Sequence, residues 1–316
     1  MFFEGAEKKL EVIVEDNTLN LMELDKSFWI EMVTACNASI LSEIKNDKAH
    51  AYLLSESSLF VWKDRFLMIT CGQTNLIESA KYFIEKYGAS SVASLIFQRK
   101  NEYQSHMQPS TFVQDAQLLQ NWVGGVPLRF GKIHSHFNLL FHTEKPYRPD
   151  PDDTTTELLM YDICPKCSEL LTREDLTSDV IRKFFDLEKL LPDFEIDDFV
   201  FKPYGYSLNA LKGDDYYTIH VTPQLYAPYV SFETNCKMEE EGQKVLSHLI
   251  NVFRPGSFDI ISFNGSDKYE FDEKYLMANR SHEKNIQGYD IDFRYYYREN
   301  LKGDAPTLVK YEEEEL

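Results

Sequence analysis

Residues 206–221 read YSLNALKGDDYYTIHV. Two runs rich in aromatic, β-branched and leucine side chains flank the polar stretch Lys212-Gly213-Asp214-Asp215. Glycine and aspartate favour tight turns, so this pattern is typical of a β-hairpin. The segment therefore predicts antiparallel strands over 206–211 and 216–221.

The segments around this hairpin repeat an order found in the first half of the chain. After the hairpin, we predict a strand over 229–234, a helix over 240–253, a break at Pro255-Gly256 and a strand over 258–263. In the first half, strands are predicted over 7–15, 40–44, 49–54, 59–62, 66–71 and 91–97, and helices over 25–37 and 76–87. In both halves a helix follows a strand that ends in threonine, which indicates an internal duplication.

The many adjacent strand pairs favour an α+β fold with largely antiparallel sheets packed in layers. Residues 142–156 are rich in proline and aspartate, so they predict a loop between the halves. Residues 311–316 are predicted to be a solvated acidic tail.

Composition indicates a globular chain, because 43% of its 316 residues are hydrophobic and 14% are aromatic. The net charge of −19 makes nucleic acid an unexpected partner, since phosphate binding requires excess Lys and Arg. We find no signal-peptide pattern and no apolar run of about 20 residues that would span a membrane. Five scattered cysteines do not resemble a disulfide framework, so we expect a cytoplasmic protein.

Two cysteine and histidine patterns are interpreted as structural. Cys164 and Cys167 form a CPKC pair with metal or redox spacing, but no second CxxC or HxxxH supplies the other two ligands of a zinc site. His134 and His136 alternate on a stretch that resembles a strand, without a matching acidic ligand set. We therefore predict no metal site.

The segment LSESS at residues 54–58 places polar side chains inside an otherwise apolar β run. One interpretation is a polar turn between two strands. The other is a strained backbone at a reactive serine whose hydroxyl reaches the preceding carbonyl. This window alone favours the turn.

Several ordered motifs resemble the eukaryotic S-adenosylmethionine decarboxylases. FEGAEKKLE at residues 3–11 is similar to the opening signature of that family, and LSESS is similar to its self-cleavage motif. Further matching blocks are TCG at 70–72, GYSLN at 205–209, TIHVTP at 218–223 and VSFETN at 230–235. Six blocks in the right order are far more specific than any single motif.

The resemblance implies a pyruvoyl-dependent lyase that decarboxylates S-adenosylmethionine to supply the aminopropyl donor for spermidine and spermine synthesis. Its fold would be a four-layer α/β/β/α sandwich of two antiparallel sheets. The Ser57 hydroxyl would attack the Glu56 carbonyl to give an ester. Elimination and hydrolysis would then leave a pyruvoyl group at residue 57, which forms a Schiff base with the substrate. The products would be a small chain, 1–56, and a large chain, 57–316, of one single domain.

The family also suggests roles for individual site residues. Cys71 would donate the proton to the decarboxylated carbon, while Ser207 and His220 would serve self-cleavage. The remaining assignments are catalytic acids at Glu4 and Glu7, an aromatic pair around the adenine at Phe3 and Phe201, adenine contacts at Leu54 and Glu56, and a ribose contact at Gln224. Gln224 departs from the family's glutamate and would lose a charge-assisted bond.

A second acidic cluster resembles the site of family members that the diamine putrescine stimulates. Its members would be Glu11, Asp153, Thr155, Glu157, Glu233 and Phe263. Buried carboxylates are costly unless they are paired, so a bound dication is physically sensible there. Ile69 stands where stimulated members often carry lysine, which puts the relay to the active site in question.

Two other functions compete with this interpretation. The chain could be a catalytically inactive relative that regulates an active partner, or a polyamine-binding protein that uses the acidic cluster alone. Retention of Ser57, Cys71, Ser207 and His220 argues against the first, and the second predicts an uncut chain. A homodimer or a complex with a related regulatory subunit is also among the expected assemblies.

Overall fold

The computed structural model describes residues 3–16, 18–224, 227–237, 240–266 and 268–299. The strands of the first half are β1 (Lys8–Val14), β2 (Ile40–Lys45), β3 (Ala49–Leu54), β4 (Ser57–Trp62), β5 (Arg65–Thr70), β6 (Val92–Arg99), β7 (Val126–Gly131) and β8 (Phe137–His142). Those of the second half are β9 (Thr155–Tyr161), β10 (Glu195–Val200), β11 (Tyr206–Lys212), β12 (Asp215–Thr222), β13 (Tyr229–Thr234), β14 (Ser257–Phe263), β15 (Tyr275–Ile286) and β16 (Tyr289–Arg298). The α-helices of these ranges are α1 (Lys26–Ala35), α2 (Leu76–Tyr87), α3 (Phe112–Val123), α4 (Pro165–Leu171), α5 (Ser178–Phe185) and α6 (Glu240–Phe253).

The strands form two eight-stranded antiparallel sheets of the same topology. The first has the order β2-β3-β4-β5-β1-β6-β8-β7, and the second has the order β10-β11-β12-β13-β9-β14-β16-β15. Adding eight to each strand number of the first sheet gives the second. The predicted duplication and antiparallel pairing are therefore confirmed.

Each sheet buries one face against helices and the other against its partner sheet. Trp29 of α1 and Phe83 of α2 pack with Phe66 on the outside of the first sheet. Leu249 of α6 packs with Phe232 on the outside of the second. Between the sheets, side chains such as Phe60 of the first contact Tyr216 of the second. These contacts confirm the four-layer α/β/β/α sandwich.

Local sequence signals set most element boundaries. The Asp25 carboxylate caps α1 by accepting the amide of Ser27. Gly88 follows α2 with a φ of +81°, which glycine adopts without steric cost.

Three sequence-based placements need adjustment or lie outside the described ranges. The loop between the halves is shorter than predicted, because Thr155 and Thr156 already belong to β9 and pair with β14. The prediction of a strand through His134 and His136 was wrong, because both lie in the turn between β7 and β8. The acidic tail at 311–316 lies outside the described residues.

The central strand β1 carries charge into the space between the sheets. Leu10 and Val12 pack under the helices, whereas Lys9 and Glu11 alternate with them and face the second sheet. Both sheets bring polar side chains to this interface, which therefore differs from a purely apolar core.

In the described part of the chain, no helix has the length and apolar character needed to cross a membrane.

Candidate active site

The turn between β3 and β4 holds the predicted cleavage point in a strained conformation. Leu54 pairs with Ser57, so the connection consists of Ser55 and Glu56 alone. Ser57 has a φ of +136°, a region that L-residues with a side chain rarely adopt. Its hydroxyl is buried and has no hydrogen-bond partner among the described residues. This geometry favours the reactive-serine interpretation over an ordinary turn.

The carbonyl before Ser57 is polarised by two donors from one residue. The Cys71 amide donates to the Glu56 carbonyl oxygen at 3.0 Å, and the Cys71 thiol approaches the same oxygen at 3.3 Å. The β4–β5 register places them there, because Ser57 pairs with Thr70. Two donors aimed at one carbonyl stabilise negative charge that develops on its oxygen when a nucleophile adds.

Beside this turn lies a cavity of about 390 Å³. Its walls combine aromatic rings with the polar groups of three strands. The predicted site residues on these walls are Phe3, Glu56, Ser57, Cys71, Phe201, Ser207, His220 and Gln224. Most of the predicted catalytic and substrate-binding residues therefore meet in one place.

His220 lies on β12 as a neutral base. Burial lowers the pKa of its imidazole to about 3, so the ring is uncharged at neutral pH. Its Nδ1 lies 3.0 Å from the Ser207 hydroxyl, and its Nε2 lies 2.9 Å from the Thr218 hydroxyl and 3.2 Å from that of Ser58.

The surrounding hydroxyls indicate which imidazole nitrogen carries the proton. Thr218 Oγ1 lies 2.9 Å from the Leu208 carbonyl oxygen, which has no hydrogen, so Thr218 must donate to it. The Thr218 oxygen then accepts from His220 Nε2–H. This leaves Nδ1 without a proton, so its lone pair accepts the Ser207 hydroxyl.

Sequence reasoning missed Ser58, Asn209 and Thr218, although a signal was present. Asn209 accepts the Ser58 hydroxyl at 2.5 Å and completes the network behind His220. In the predicted hairpin, Ser207 pairs with His220 and Asn209 with Thr218. The same register, extended by two residues from the pair of Ser207 and His220, would have found Asn209 and Thr218, whereas Ser58 lies on β4 of the other sheet.

Cys71 is held as a neutral thiol. Burial, with the nearby carboxyls of Glu56 and Glu7, raises the pKa of Cys71 well above its ordinary value. Next to Cys71 in the chain, the Gly72 carbonyl oxygen accepts the Lys8 ammonium at 3.0 Å, and burial lowers the pKa of this ammonium to about 8. A protonated thiol at the cavity wall fits the predicted role of proton donor.

Glu4 and Glu7 are buried near Cys71 but are not among the residues that line the cavity. The Glu4 carboxylate accepts the amides of Ala6 and Gln104 at 3.3 and 2.8 Å. Glu7 accepts the Ser231 hydroxyl at 2.5 Å, and burial raises the pKa of Glu7 to about 7. Both therefore act on the thiol through the electric field rather than by contact across the cavity.

Two further predicted substrate contacts have other partners in this structure. Gln224 Oε1 accepts the Phe3 amide at 3.1 Å, so it anchors the aromatic wall. Leu54 is fully buried, pairs with Ser57 in the sheet and does not line the cavity.

The predicted diamine site contains cations of the chain itself. We call Lys9, Arg65, Lys100, Glu11, Asp153, Glu157 and Glu233 the buried charge cluster. Lys9 Nζ lies 2.9 Å from both Glu157 and Glu233, with about 3% of its side chain exposed. Lys100 forms a second ion pair with Glu157. Two ammonium groups thus lie among the carboxylates that were expected to bind a diamine.

The rest of the cluster is paired as well. Arg65 contacts Asp153 through two hydrogen bonds of 2.9 and 2.7 Å, and Glu11 at 3.4 Å. The Phe263 ring lies 5.5 Å from Lys9 Nζ and forms the expected apolar wall. Thr155 lines an acidic cavity of about 520 Å³ beside the cluster.

The cluster is connected to the active site through Glu7. The Lys100 amide donates to the Glu7 carbonyl oxygen at 3.1 Å, and the Lys100 ammonium opposes part of the rise that burial causes in the pKa of the Glu7 carboxyl. Glu7 in turn acts on the Cys71 thiol. Charge in the cluster therefore influences the protonation of groups beside the cavity.

Lys9 also accounts for the lysine that is missing at position 69. Lys9 on β1 is the cross-strand partner of Ile69 on β5, so the ammonium comes from the neighbouring strand. The sequence contained a signal, because Glu7, Lys9 and Glu11 alternate and share one face of β1.

Within the described ranges, no group of three or more metal-ligating side chains could hold an ion.

Comparisons with known proteins find relatives over most of the chain. The family model described as adenosylmethionine decarboxylase matches residues 1–311. The chain is 33% identical over 279 residues to the S-adenosylmethionine decarboxylase proenzyme of Leishmania donovani, covering 83% of this chain and 73% of the relative. It is 30% identical to the proenzyme of the same name from Drosophila melanogaster, covering 96% of this chain and 97% of that one.

A solved structure shares the fold. The Trypanosoma brucei AdoMetDC-delta26 monomer superposes with a TM-score of 0.59 at 22% identity, covering 77% of this chain and 99% of that one. With the whole-length family match and these relatives, the chain belongs to the adenosylmethionine decarboxylase family.

Proposed function

We propose that this chain cleaves itself between Glu56 and Ser57 and then decarboxylates S-adenosylmethionine to the aminopropyl donor of spermidine and spermine synthesis. The observation that carries the proposal is the strained Ser57 with its unpartnered hydroxyl beside a carbonyl that Cys71 polarises. The relatives' printed name, which joins decarboxylase to proenzyme, supports both parts.

The chain's own groups are suited to each step of self-cleavage. The Ser57 hydroxyl adds to the Glu56 carbonyl, and the Cys71 donors stabilise the resulting oxyanion. Expulsion of the Ser57 nitrogen gives an ester. His220, neutral because of its burial, is the base for the Ser57 α proton, and Ser207 bonds to its Nδ1. Elimination releases the Glu56 carboxylate, and hydrolysis of the remaining enamine releases ammonia.

The residues around position 57 fit a pyruvoyl group. A buried serine with strained backbone is the group's precursor, and it opens onto the cavity that would hold the substrate. When present, the pyruvoyl carbonyl supplies an electron sink for the charge left by departing carbon dioxide. Cys71 holds a proton at the cavity wall, where a carbanion would need one.

The cavity walls also suit the substrate. Phe3 and Phe201 present aromatic surfaces to an adenine ring and to a sulfonium cation. A desolvated cation over such a face gains up to about 2 kcal/mol, which would favour the sulfonium over a neutral thioether. Gln224 would still have its amide N–H₂ for a ribose hydroxyl while its oxygen anchors Phe3.

We propose that this chain works without a diamine activator, in contrast to the expectation from the acidic cluster. Lys9 and Lys100 neutralise Glu157 and Glu233 from within. To contact Glu157 and Glu233, a dication would have to displace these two buried ammonium groups. Putrescine activation, which the resemblance implied, is the opposite outcome to this proposal. Association with a second copy or a related subunit and a cytoplasmic location remain predictions.

Mass spectrometry and a carbon dioxide release assay test the main proposal. The purified chain should consist of two fragments that meet at residues 56 and 57, with a reactive carbonyl on the larger. The Ser57→Ala variant should remain one inactive chain, while Ser55→Ala, in the same turn, should still cleave. Efficient cleavage of Ser57→Ala, or an intact wild-type chain without turnover, would contradict the proposal.

A further inference from the structure

The CPKC pair has an arrangement that its sequence did not reveal. Cys164 caps the beginning of α4, and Cys167 lies on the first turn of that helix. Their Sγ atoms are 2.8 Å apart, and both cysteines are free thiols. The Cys167 amide donates to the Cys164 carbonyl at 2.8 Å, which fixes the backbone between them.

The two thiols have different environments. Cys164 is partly exposed, whereas Cys167 is about 4% exposed. Burial opposes ionisation of Cys164, but hydrogen bonds from the Cys167 thiol and backbone amides and the charge of Arg254 outweigh it and lower the pKa of Cys164. Burial and the hydrogen bond to Cys164 raise the pKa of Cys167 to about 12. The Cys164 sulfur is thus accessible and prone to ionise, while the buried Cys167 sulfur stays protonated.

A metal does not explain the pair. Structural zinc requires four ligands, and the described residues place no third histidine, cysteine or carboxylate beside these two. Packing alone does not require two sulfurs in contact either, because Cys167 already fills its site against the carbonyl of Val252, 3.3 Å away at the end of α6.

We propose that Cys164 and Cys167 form a reversible dithiol–disulfide site that exchanges with low-molecular-weight disulfides such as oxidised glutathione. The Cys164 thiolate attacks the small disulfide, forms a mixed disulfide and releases one small thiolate, which takes up a proton. Cys167 then loses its proton and attacks Cys164 Sγ, which releases the second small thiol. The cysteine pair loses two electrons and two protons, and the small disulfide gains both.

Little movement is needed to complete the bond. The sulfur atoms must approach from 2.8 Å to about 2.05 Å. Oxidation removes the hydrogen bond from the Cys167 thiol to the Val252 carbonyl, but the Cys164 amide keeps its 2.9 Å hydrogen bond to the Phe253 carbonyl. The attachment of α4 to α6 therefore persists in both redox states.

Oxidation of the full chain with glutathione disulfide tests this site. After oxidation, remaining thiols are blocked with a maleimide and peptides are analysed by mass spectrometry. We expect the peptide with both cysteines to lose two hydrogens and take up no maleimide, and dithiothreitol to reverse this. In Cys167→Ser, glutathione should accumulate on Cys164.

Cys236 provides the internal control. It is partly exposed like Cys164, but burial raises its pKa to about 11, so it should react at least about tenfold more slowly at neutral pH. The proposal is overturned if Cys164 still takes up maleimide after oxidation. Equal rates at Cys164 and Cys236, or a Cys167→Ser variant without mixed disulfide, would also overturn it.

Discussion

Replacing Lys9 by methionine should convert the chain into a protein that responds to putrescine. Methionine keeps the length and apolar stem of lysine but removes the ammonium that contacts Glu157 and Glu233 at 2.9 Å. Both carboxylates are almost fully buried, so they cannot regain this interaction from water. Removing one partner of a buried ion pair typically costs about 3–5 kcal/mol of unfolding free energy.

Equilibrium unfolding in urea, with and without putrescine, measures this effect. Lys9→Met should lose about 3–5 kcal/mol, and the diamine should restore about 2.7 kcal/mol at about 100 times its Kd. Wild type should gain almost nothing from the diamine, because its own cations occupy the cluster. Turnover of the variant, measured by carbon dioxide release, should rise with putrescine.

Lys26→Met is the matched control. Lys26 also pairs with a glutamate at 2.9 Å, but about half of its side chain is exposed, so its loss should cost under about 1 kcal/mol. If Lys9→Met costs no more than the control, Lys9 does not hold the cluster together. If putrescine stabilises or activates wild type as strongly as the variant, the cluster is not filled from within.

Three further predictions concern the active site. Cys71→Ala should remove the proton donor and lower turnover of the cleaved enzyme by about 100-fold or more. Undiminished turnover would exclude Cys71 as the proton donor. Thr218→Val should shift the His220 tautomer, which nitrogen NMR can detect in the uncut Ser57→Ala background. In the chain that keeps Ser57, the same change should slow self-cleavage, whereas Thr218→Ser should preserve both the tautomer and the cleavage rate. An unchanged tautomer in Thr218→Val would refute the assignment of Thr218 as a donor to the Leu208 carbonyl. Glu7 has a folded pKa of about 7 against an ordinary 4.5, so its contribution to stability is complete below the unfolded value and is lost as pH rises through 7. Glu7→Gln should therefore reduce the loss of unfolding free energy between about pH 5 and about pH 8 by roughly 2 kcal/mol, and an identical pH profile would show that Glu7 ionises normally.

Local patterns were sufficient for several features that depend on neighbours along the chain. The hairpin at 206–221 and the helix that ends before Gly88 depend on turn chemistry and alternation within a few residues. The hairpin register even fixes the contact between Ser207 and His220. The six ordered motifs identified the family for the same reason, because they preserve residue types at set spacings.

Long-range pairing decided the state of the acidic cluster. Lys9 meets Glu233 across 224 positions, and Lys100 meets Glu157 across 57. The motif suggested a cluster of carboxylates that binds a dication. Alternation places Lys9 on the same face of β1 as Glu11, but it does not show that this face meets Glu157 and Glu233 of the second half. Only the packing of β1 against the second sheet shows the ammonium among those carboxylates.

By itself, the sequence determined the antiparallel α+β class and the duplicated order of elements, and it predicted which serine is reactive, because these follow from short-range alternation, turn residues and motif spacing. The tertiary structure decided how those residues are charged and strained. The φ of Ser57, the neutral imidazole of His220 and the internal pairing of Lys9 arise from burial between two sheets. Burial removes water from charged groups, and which groups then face each other depends on how the two halves of the chain pack.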